Sequence, residues 1–468
     1  MFRPSHKLIF VCLAGLFVLW AGAAALGLFG QRKLFYEGGR EELYDYWMPR
    51  MCLEQGYVGH PEQYKGFVDV RKGKPIVVDD RDVVWSDWYT NGERTLFVTG
   101  WRDKVYPVIS LLPFKLFPAT RFGGYLWSAI AGAVMVLSLC MIAKSWQPLL
   151  LALSMPFIFN IERGNPVWIS AACVGVFLAW WNDEKEWKRL VAAACLAVAG
   201  TMKIAPFALG LVYITKWRWR PVLLCGILSL VLMFVPWAFC RDGFAALPVM
   251  IKNATLHAQF VQRASDFGLV QLWRTVRIIL GQSVQEVWPG MKLVAVTSQL
   301  IGAAALIYGV CRRDKLLMVG GMLWAAGNMY YYAMLYMLPV FVLEWIVGEK
   351  ESGVRSWSSE LELESGGGDF SLSQGLKVVE VLLWLALLSP LQLVLLGHSA
   401  NQVIGNLSLL GLLILHFLSN ARIPLRTLGT RVRSACRLPH GSSAPSRGGY
   451  ASLRLCVKTQ LQLLTPAH

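Results

Sequence analysis

The sequence predicts an all-α integral membrane protein, a multi-span helical bundle with broken or re-entrant helices and an extracytoplasmic first loop. Three observations carry this. Of the 468 residues, 55% are hydrophobic and 16% charged, and mean hydropathy is +0.47, too apolar for a soluble globular chain of this length. Segments such as LIFVCLAGLFVLWAGAAALGLF at 8–29 reach the roughly 20 apolar residues that cross a bilayer. Other apolar segments are short, or carry a polar residue or proline at their centre.

Segment 8–29 is longer than the apolar core of a secretory signal and further spans follow, so it reads as an uncleaved signal anchor. Full-length span candidates follow at roughly 123–143, 166–181, 221–240, 291–310, 377–397 and 403–419. The shorter pieces are 105–118, 148–160, the two halves flanking Lys203, and 316–347, interrupted at GNMYYY. The net charge of +16 sits in short loops and the tail, as a positive-inside bias does, and points to no nucleic-acid partner. Basic loops at Arg3 and Lys7, Lys144, Lys185 to Arg189, KWRWR (216–220), CRRDK (311–315) and beyond Arg422 are then cytoplasmic. Residues 30–104, the turn at 162–165 and 241–290 are extracytoplasmic.

This orientation requires segment 190–215 to enter and leave on one side. Its 26 residues are too few for two crossings at about 1.5 Å per residue. Two half-length helices meeting at TMKIAP (201–206) fit instead, and Pro206 favours a break there because it lacks a backbone donor. The same reasoning makes 316–347 a second broken pair, turning near 328–332, and 105–118 a re-entrant or interfacial piece. Freed backbone inside a membrane is tolerated where protein or a polar cavity satisfies it.

The expected organisation is a membrane catalytic region at 1–348, a Ser/Gly/Glu-rich cytoplasmic linker at 349–376, C-terminal transmembrane helices at 377–420, and a basic tail at 421–468 with the composition of disorder. Loop 30–104 is long enough for a small helical cap with a hairpin near 68–100. The ten cysteines form no CxxC pair and the seven histidines no metal pattern, so no metal is expected. Without a Walker loop or a GxGxxG after a strand, no nucleotide site is expected.

Four places could carry chemistry. Lys203 lies about 13 residues from each flank, too deep to snorkel to the cytoplasmic surface. An ammonium at a helix break facing a cavity suits an anionic headgroup such as a lipid phosphate. Glu41, Glu42 and Asp45 fall near one face of a helix after the first span. They read either as the polar side of an amphipathic surface helix or as a carboxylate base above the membrane. At ERGN (162–165), Gly164 and Asn165 suit a tight turn and a helix cap; alternatively Arg163 meets phosphate and Asn165 a sugar hydroxyl. Tyr331 and Tyr332, within NMYYYAMLYMLP (328–339), are either aromatic packing or a sugar platform.

The order of these pieces resembles the polyprenol-phosphate-sugar-dependent glycosyltransferases of the GT-C fold, in particular glycosyltransferase family 87. Its members include bacterial alpha-mannosyltransferases and related pentose transferases. The matching residues are Trp47, Gly56 and Tyr57 or Tyr64; Tyr106-Pro107 with Pro113; Arg163-Gly164-Asn165; Lys203 to Pro206 with Trp217 and Trp219; and Leu338-Pro339. The resemblance covers roughly 8–347. It departs from the family where a GQxN turn reads ERGNP and where paired histidines give way to Tyr331 and Tyr332.

The resemblance implies an inverting hexosyltransferase of the bacterial cytoplasmic membrane, working at its outer face. The donor would be a polyprenyl-phosphate hexose such as mannose, with no nucleotide sugar and no cofactor. The acceptor would be an envelope glycolipid or glycan. The family's acidic position falls on Glu42, with Asp45 three residues later, and either could be the base. Lys203, with Arg163, would hold the donor phosphate; Asn165, Tyr106, Tyr331 and Tyr332 would contact sugar or acceptor. A non-enzymatic flippase for lipid-linked sugars, or a structural subunit of envelope assembly, would also use intramembrane charge and broken helices. Breaks and carboxylates confined to the outer side favour the enzyme.

Overall fold

The computed structural model describes residues 6–26, 43, 45–46, 67–69, 74–76, 88–90, 93–95, 107–118, 120–216, 218–240, 243–251, 268–280, 291–326, 331–348, 370–390, 394–395, 398–399 and 401–436. Two compact units divide the chain, Met1–Phe417 and Leu418–His468; the residues of interest lie in the first.

The described residues are helical apart from short antiparallel strand pairs. Helix α1 spans His6–Ala25. In the first loop β1 (Phe67–Asp69) pairs with β2 (Lys74–Ile76), and β3 (Trp88–Thr90) with β4 (Glu93–Thr95). One expected hairpin is therefore two; the expected helical cap lies largely outside the described residues. Next come α2 (Val108–Leu111), the 3-10 turn Leu112–Leu116, α3 (Arg121–Ala143), α4 (Met155–Arg163), α5 (Val167–Trp180) and α6 (Glu186–Met202). After a 3-10 segment Ala205–Gly210 come α7 (Leu211–Thr215) and α8 (Trp219–Phe234). The chain continues with α9 (Gly268–Ile279), α10 (Met291–Arg312) and α11 (Lys315–Ala325). The 3-10 turn Tyr331–Tyr336, α12 (Met337–Phe341), a π segment Val342–Val347, α13 (Phe370–Leu388) and α14 (Asn401–Cys436) complete it.

Among the described residues, five helical segments are long and apolar enough to cross a membrane: Lys7–Ala25, Arg121–Ala143, Trp219–Phe239, Leu293–Arg312 and Val403–Asn420. Only 11% of the apolar window in Trp219–Phe239 is buried. So apolar a face with no protein against it is built for lipid. Exposed Leu223, Ile227 and Leu230 on α8, and Leu293 and Leu300 on α10, belong to the same outer layer. Inside it, α5, α11 and residues 331–347 form the core, with Trp168, Trp324, Tyr336 and Phe341 fully buried.

Two expected spans need correction. Segment 166–181 is a 14-residue helix, α5, shorter than the roughly 20 residues of a full crossing. It sits among protein: Trp168, Ala171, Val174 and Phe177 have no exposed surface. Segment 377–397 ends as a helix at Leu388. Pro390 explains the stop, since proline disfavours helical geometry in the residue before it. A short strand pair, Val394–Leu395 with His398–Ser399, follows.

The breaks expected at TMKIAP and within 316–347 are present. Helix α6 stops at Met202, and Lys203 is extended (φ −144°, ψ 117°) before the 3-10 turn begins. Helix α11 stops at Ala325, and Tyr331–Tyr336 form a 3-10 turn; the turning point expected near 328–332 lies largely outside the described residues. Lipid is as apolar as leucine, so association of these helices rests on close packing and polar contacts. A Cβ on Gly302 would come within 2.3 Å of the Ala325 backbone nitrogen, so α10 and α11 meet backbone to backbone. Ser170 Oγ on α5 donates to the Ala199 carbonyl of α6 at 3.0 Å and lies 2.7 Å from the Tyr336 hydroxyl. One serine thus ties two helices and the turn at 331–336.

Candidate active site

The turn after α4 is set by its sequence. Gly164 is left-handed (φ 65°, ψ 24°) and its N–H donates to the Asn160 carbonyl at 3.0 Å. A side chain there would put its Cβ 2.8 Å from the Tyr46 Cβ, so glycine is required both for conformation and for space. Asn165 Oδ1 accepts from the Val167 N–H at 3.0 Å and so caps the start of α5. Trp127 Nε1 donates to the Gly164 carbonyl at 3.0 Å. With its carbonyl oxygen thus committed, the Asn165 amide turns its Nδ2 toward the first loop.

That loop supplies Asp45. Leu43 is buried and left-handed (φ 55°), a conformation that costs a branched residue about 1–2 kcal/mol. Its N–H donates to the Glu162 carbonyl at 2.7 Å, tying the loop to α4. Tyr46 faces the other way: its hydroxyl donates to the Pro118 carbonyl at 2.7 Å and its ring packs edge-on against Phe114 at 5.3 Å. Asp45, between these anchors, is directed at the turn.

There its carboxylate is wrapped. Arg163 Nε donates to Oδ2 at 2.8 Å and Nη2 to Oδ1 at 3.3 Å, while Asn165 Nδ2 donates to Oδ2 at 3.0 Å. Asp45 and Arg163 are 6% and 7% exposed, so the pair is shielded from water. Burial pushes the Asp45 carboxyl up. The Arg163 charge, the Asn165 and Arg163 hydrogen bonds and the Lys203 charge together outweigh it and hold the carboxyl below its usual value. Asp45 is therefore an anion at neutral pH.

Lys203 approaches from the break after α6. Its N–H still closes the helix on the Ala199 carbonyl at 3.0 Å, but its extended backbone ends the helical path. The ammonium lies 4.9 Å above the Tyr332 ring and 3.4 Å from its hydroxyl, a cation–π contact. Tyr332 is itself fixed: Asn160 Nδ2 donates to its carbonyl at 2.9 Å and to the Pro156 carbonyl at 2.8 Å. The second broken pair is thereby linked to α4.

Of the residues expected to carry chemistry, Asp45, Arg163 and Asn165 meet directly, and Lys203 joins them through its charge and through Tyr332. Glu42 and Tyr106 lie outside the described residues. So does the side chain of Tyr331, whose backbone opens the turn at 331–336. The first-loop carboxylate and Arg163, expected as separate groups, form one ion pair. Asn160 is a further residue of the site that no expectation covers. Its signal was present: a polar residue inside MPFIFNIER, three positions before Arg163 and so on the same helix face. Asn160 is fully buried, and its Oδ1 has no partner among the described residues.

Residues 105–326 match the family model Glycosyltransferase family 87. The match contains Arg163, Asn165 and Lys203; Asp45 and Tyr332 fall outside it. No curated protein and no solved structure matches the chain.

Proposed function

We propose that this chain, a membrane glycosyltransferase carrying a glycosyltransferase family 87 domain over residues 105–326, moves a hexose such as mannose from a polyprenyl-phosphate donor. The acceptor is an envelope glycolipid or glycan, and the reaction occurs at the outer face of a bacterial cytoplasmic membrane. The observation behind this reading is the buried ionised Asp45, held against Arg163 at 2.8 Å and within the field of Lys203.

An inverting transfer needs two things from the protein. The acceptor hydroxyl must lose a proton as it attacks the anomeric carbon, and the departing phosphate must be stabilised as it gains charge. Asp45 is the proton acceptor. Lys203, with Arg163, holds the phosphate, and a cation placed where charge develops stabilises the transition state more than the ground state. The broken helices after Met202 and Ala325 give these groups a polar lining inside a lipid-facing shell. Asn165, Tyr332, Tyr331 and Tyr106 contact sugar or acceptor. A lipid-linked donor also explains why the chemistry needs no nucleotide sugar: its site faces a compartment without nucleotide pools.

The test uses purified protein, radiolabelled polyprenyl-phosphate mannose and an acceptor lipid extract. Label should move to a new lipid or glycan, and Asp45→Asn should reduce the rate by about 10²–10⁴-fold in protein that remains monodisperse. Transfer by Asp45→Asn at the wild-type rate, with loss in Glu42→Gln instead, would move the base to Glu42. Absence of transfer in wild-type protein across mannose, other hexose and pentose donors would remove the donor class.

A further inference from the structure

We propose that the Asp45–Arg163 ion pair is a donor-operated catch: the guanidinium holds the carboxylate until a donor phosphate arrives, and the phosphate draws the guanidinium away and frees Asp45 for the acceptor. The inference rests on the reading of Asp45 as the proton acceptor.

Both Asp45 oxygens are engaged, Oδ2 by Arg163 Nε at 2.8 Å and Asn165 Nδ2 at 3.0 Å, and Oδ1 by Arg163 Nη2 at 3.3 Å. A hydroxyl that is to give up its proton must hydrogen-bond to one of those oxygens. The oxygen facing only Nη2 carries the longest of the three contacts, so it is the one most readily vacated. A movement of Arg163 alone exposes it, because Asn165 remains fixed by the cap on Val167.

A base is most effective when its proton affinity suits the working pH. Among the described residues, the charged groups acting on Asp45 are Arg163, at the end of α4, and Lys203, at the end of α6; Asn165 adds a neutral donor. All three make the carboxyl a weaker base. A phosphate oxygen is a matched bidentate partner for a guanidinium. Its arrival both weakens the Arg163 grip and brings negative charge near Asp45, and both effects raise the carboxyl's proton affinity.

Charge is conserved through the transfer. The acceptor oxygen bonds to the anomeric carbon as the bond from that carbon to the phosphate oxygen breaks, and the electron pair leaves with the phosphate. The phosphodiester, with one negative charge, becomes a phosphomonoester with two, while the proton lost by the acceptor neutralises Asp45. Total charge around Arg163 and Lys203 is unchanged, so the buried cations stay compensated throughout. The catch also orders the reaction, donor first and acceptor second.

The test reads the protonation of Asp45 without catalysis. Dicyclohexylcarbodiimide modifies protonated carboxyls in apolar surroundings, and mass spectrometry of the Asp45 peptide measures its modification across a pH series. Polyprenyl phosphate bound to the full-length protein should move the midpoint upward by about one pH unit, a tenfold change in proton affinity. Inorganic phosphate at the same concentration should leave it in place. Arg163→Gln should show the raised midpoint without any lipid, and little further movement with it. An unmoved wild-type midpoint with bound polyprenyl phosphate, detected by native mass spectrometry, overturns the catch while leaving the transfer reaction intact. A shift produced equally by inorganic phosphate overturns the lipid as its operator, and no binding of the lipid overturns both readings. The wild-type arm decides the matter even where Arg163→Gln does not fold.

Discussion

Around Asp45, cations converge on a carboxylate; around His416, carboxylates converge on an imidazole. His416 Nδ1 lies 2.9 Å from Asp314 Oδ2 and Nε2 lies 3.6 Å from Glu380 Oε1. Glu344, on the π segment, is within electrostatic reach of Asp314, Glu380, His416 and Lys315. The other oxygen of Asp314 caps α11 by accepting from the Leu317 N–H at 2.9 Å. This second cluster draws α11, α13 and α14 together through side chains on helices and one helix cap. The first takes Asp45 from a short helical stretch of the first loop, Arg163 from the end of α4, Asn165 from the turn after it, Lys203 from a helix break and Tyr332 from a 3-10 turn. The His416 cluster is thus suited to fastening the C-terminal helices, and the Asp45 cluster to meeting a ligand. Among the described residues neither has the arrangement of a metal site.

The contrast can be broken by mutation. The largest expected effect is catalytic: Asp45→Asn should lose about 10²–10⁴-fold in transfer rate, while His416→Ala, assayed at a temperature where it stays folded, should remain within a few-fold of wild type. Lys203→Ala should come next, with a loss of about 10²–10³-fold as charge stabilisation of the leaving phosphate disappears. Stability should rank the clusters by burial of charge. Arg163→Ala strands a buried carboxylate and should cost about 3–5 kcal/mol, against about 1–3 kcal/mol for His416→Ala, both read by thermal unfolding in detergent.

Acid sharpens the comparison further. The folded Asp45 carboxyl titrates below its unfolded value of about 3.9. Its contribution to stability is therefore complete above that value and is lost as pH falls through the folded one. Unfolding temperature should drop as pH falls below about 4, and Asp45→Asn should flatten that drop. The smallest effect belongs to Tyr332→Phe, which keeps the ring under Lys203 and removes only a hydroxyl at 3.4 Å. It should change the donor KM by no more than about fivefold, about 1 kcal/mol.

Much of this was legible in the sequence, because a bilayer imposes its own length and polarity. Runs such as 8–29 announced their helices, and Pro206 with Lys203 announced a break. Span edges were less legible where the partner is protein: α5 is as apolar as a lipid-facing helix because it is buried among others, and its 14 residues are sufficient there. The turn at Gly164 and the capping role of Asn165 followed from local chemistry. The Asp45–Arg163 pair did not. It depends on a left-handed Leu43, whose side chain announces no such conformation, and on Tyr46 packing so close to Gly164 that a Cβ there would lie 2.8 Å from the Tyr46 Cβ. Helical spacing placed Glu42 and Asp45 near one face; Asp45 is the one of the two among the described residues, and it pairs with Arg163. Asn160 was overlooked for a related reason, since its partner Tyr332 is 172 residues away.

The central claim is that Asp45 takes the acceptor's proton, and the most direct measurement is the pH dependence of single-turnover transfer at saturating polyprenyl-phosphate hexose. Wild-type protein should show an acidic limb set by one carboxylate, and Asp45→Asn should lose both the limb and at least about 99% of the rate. An Asp45→Asn protein that retains the wild-type limb and a rate within twofold of wild type would contradict the account.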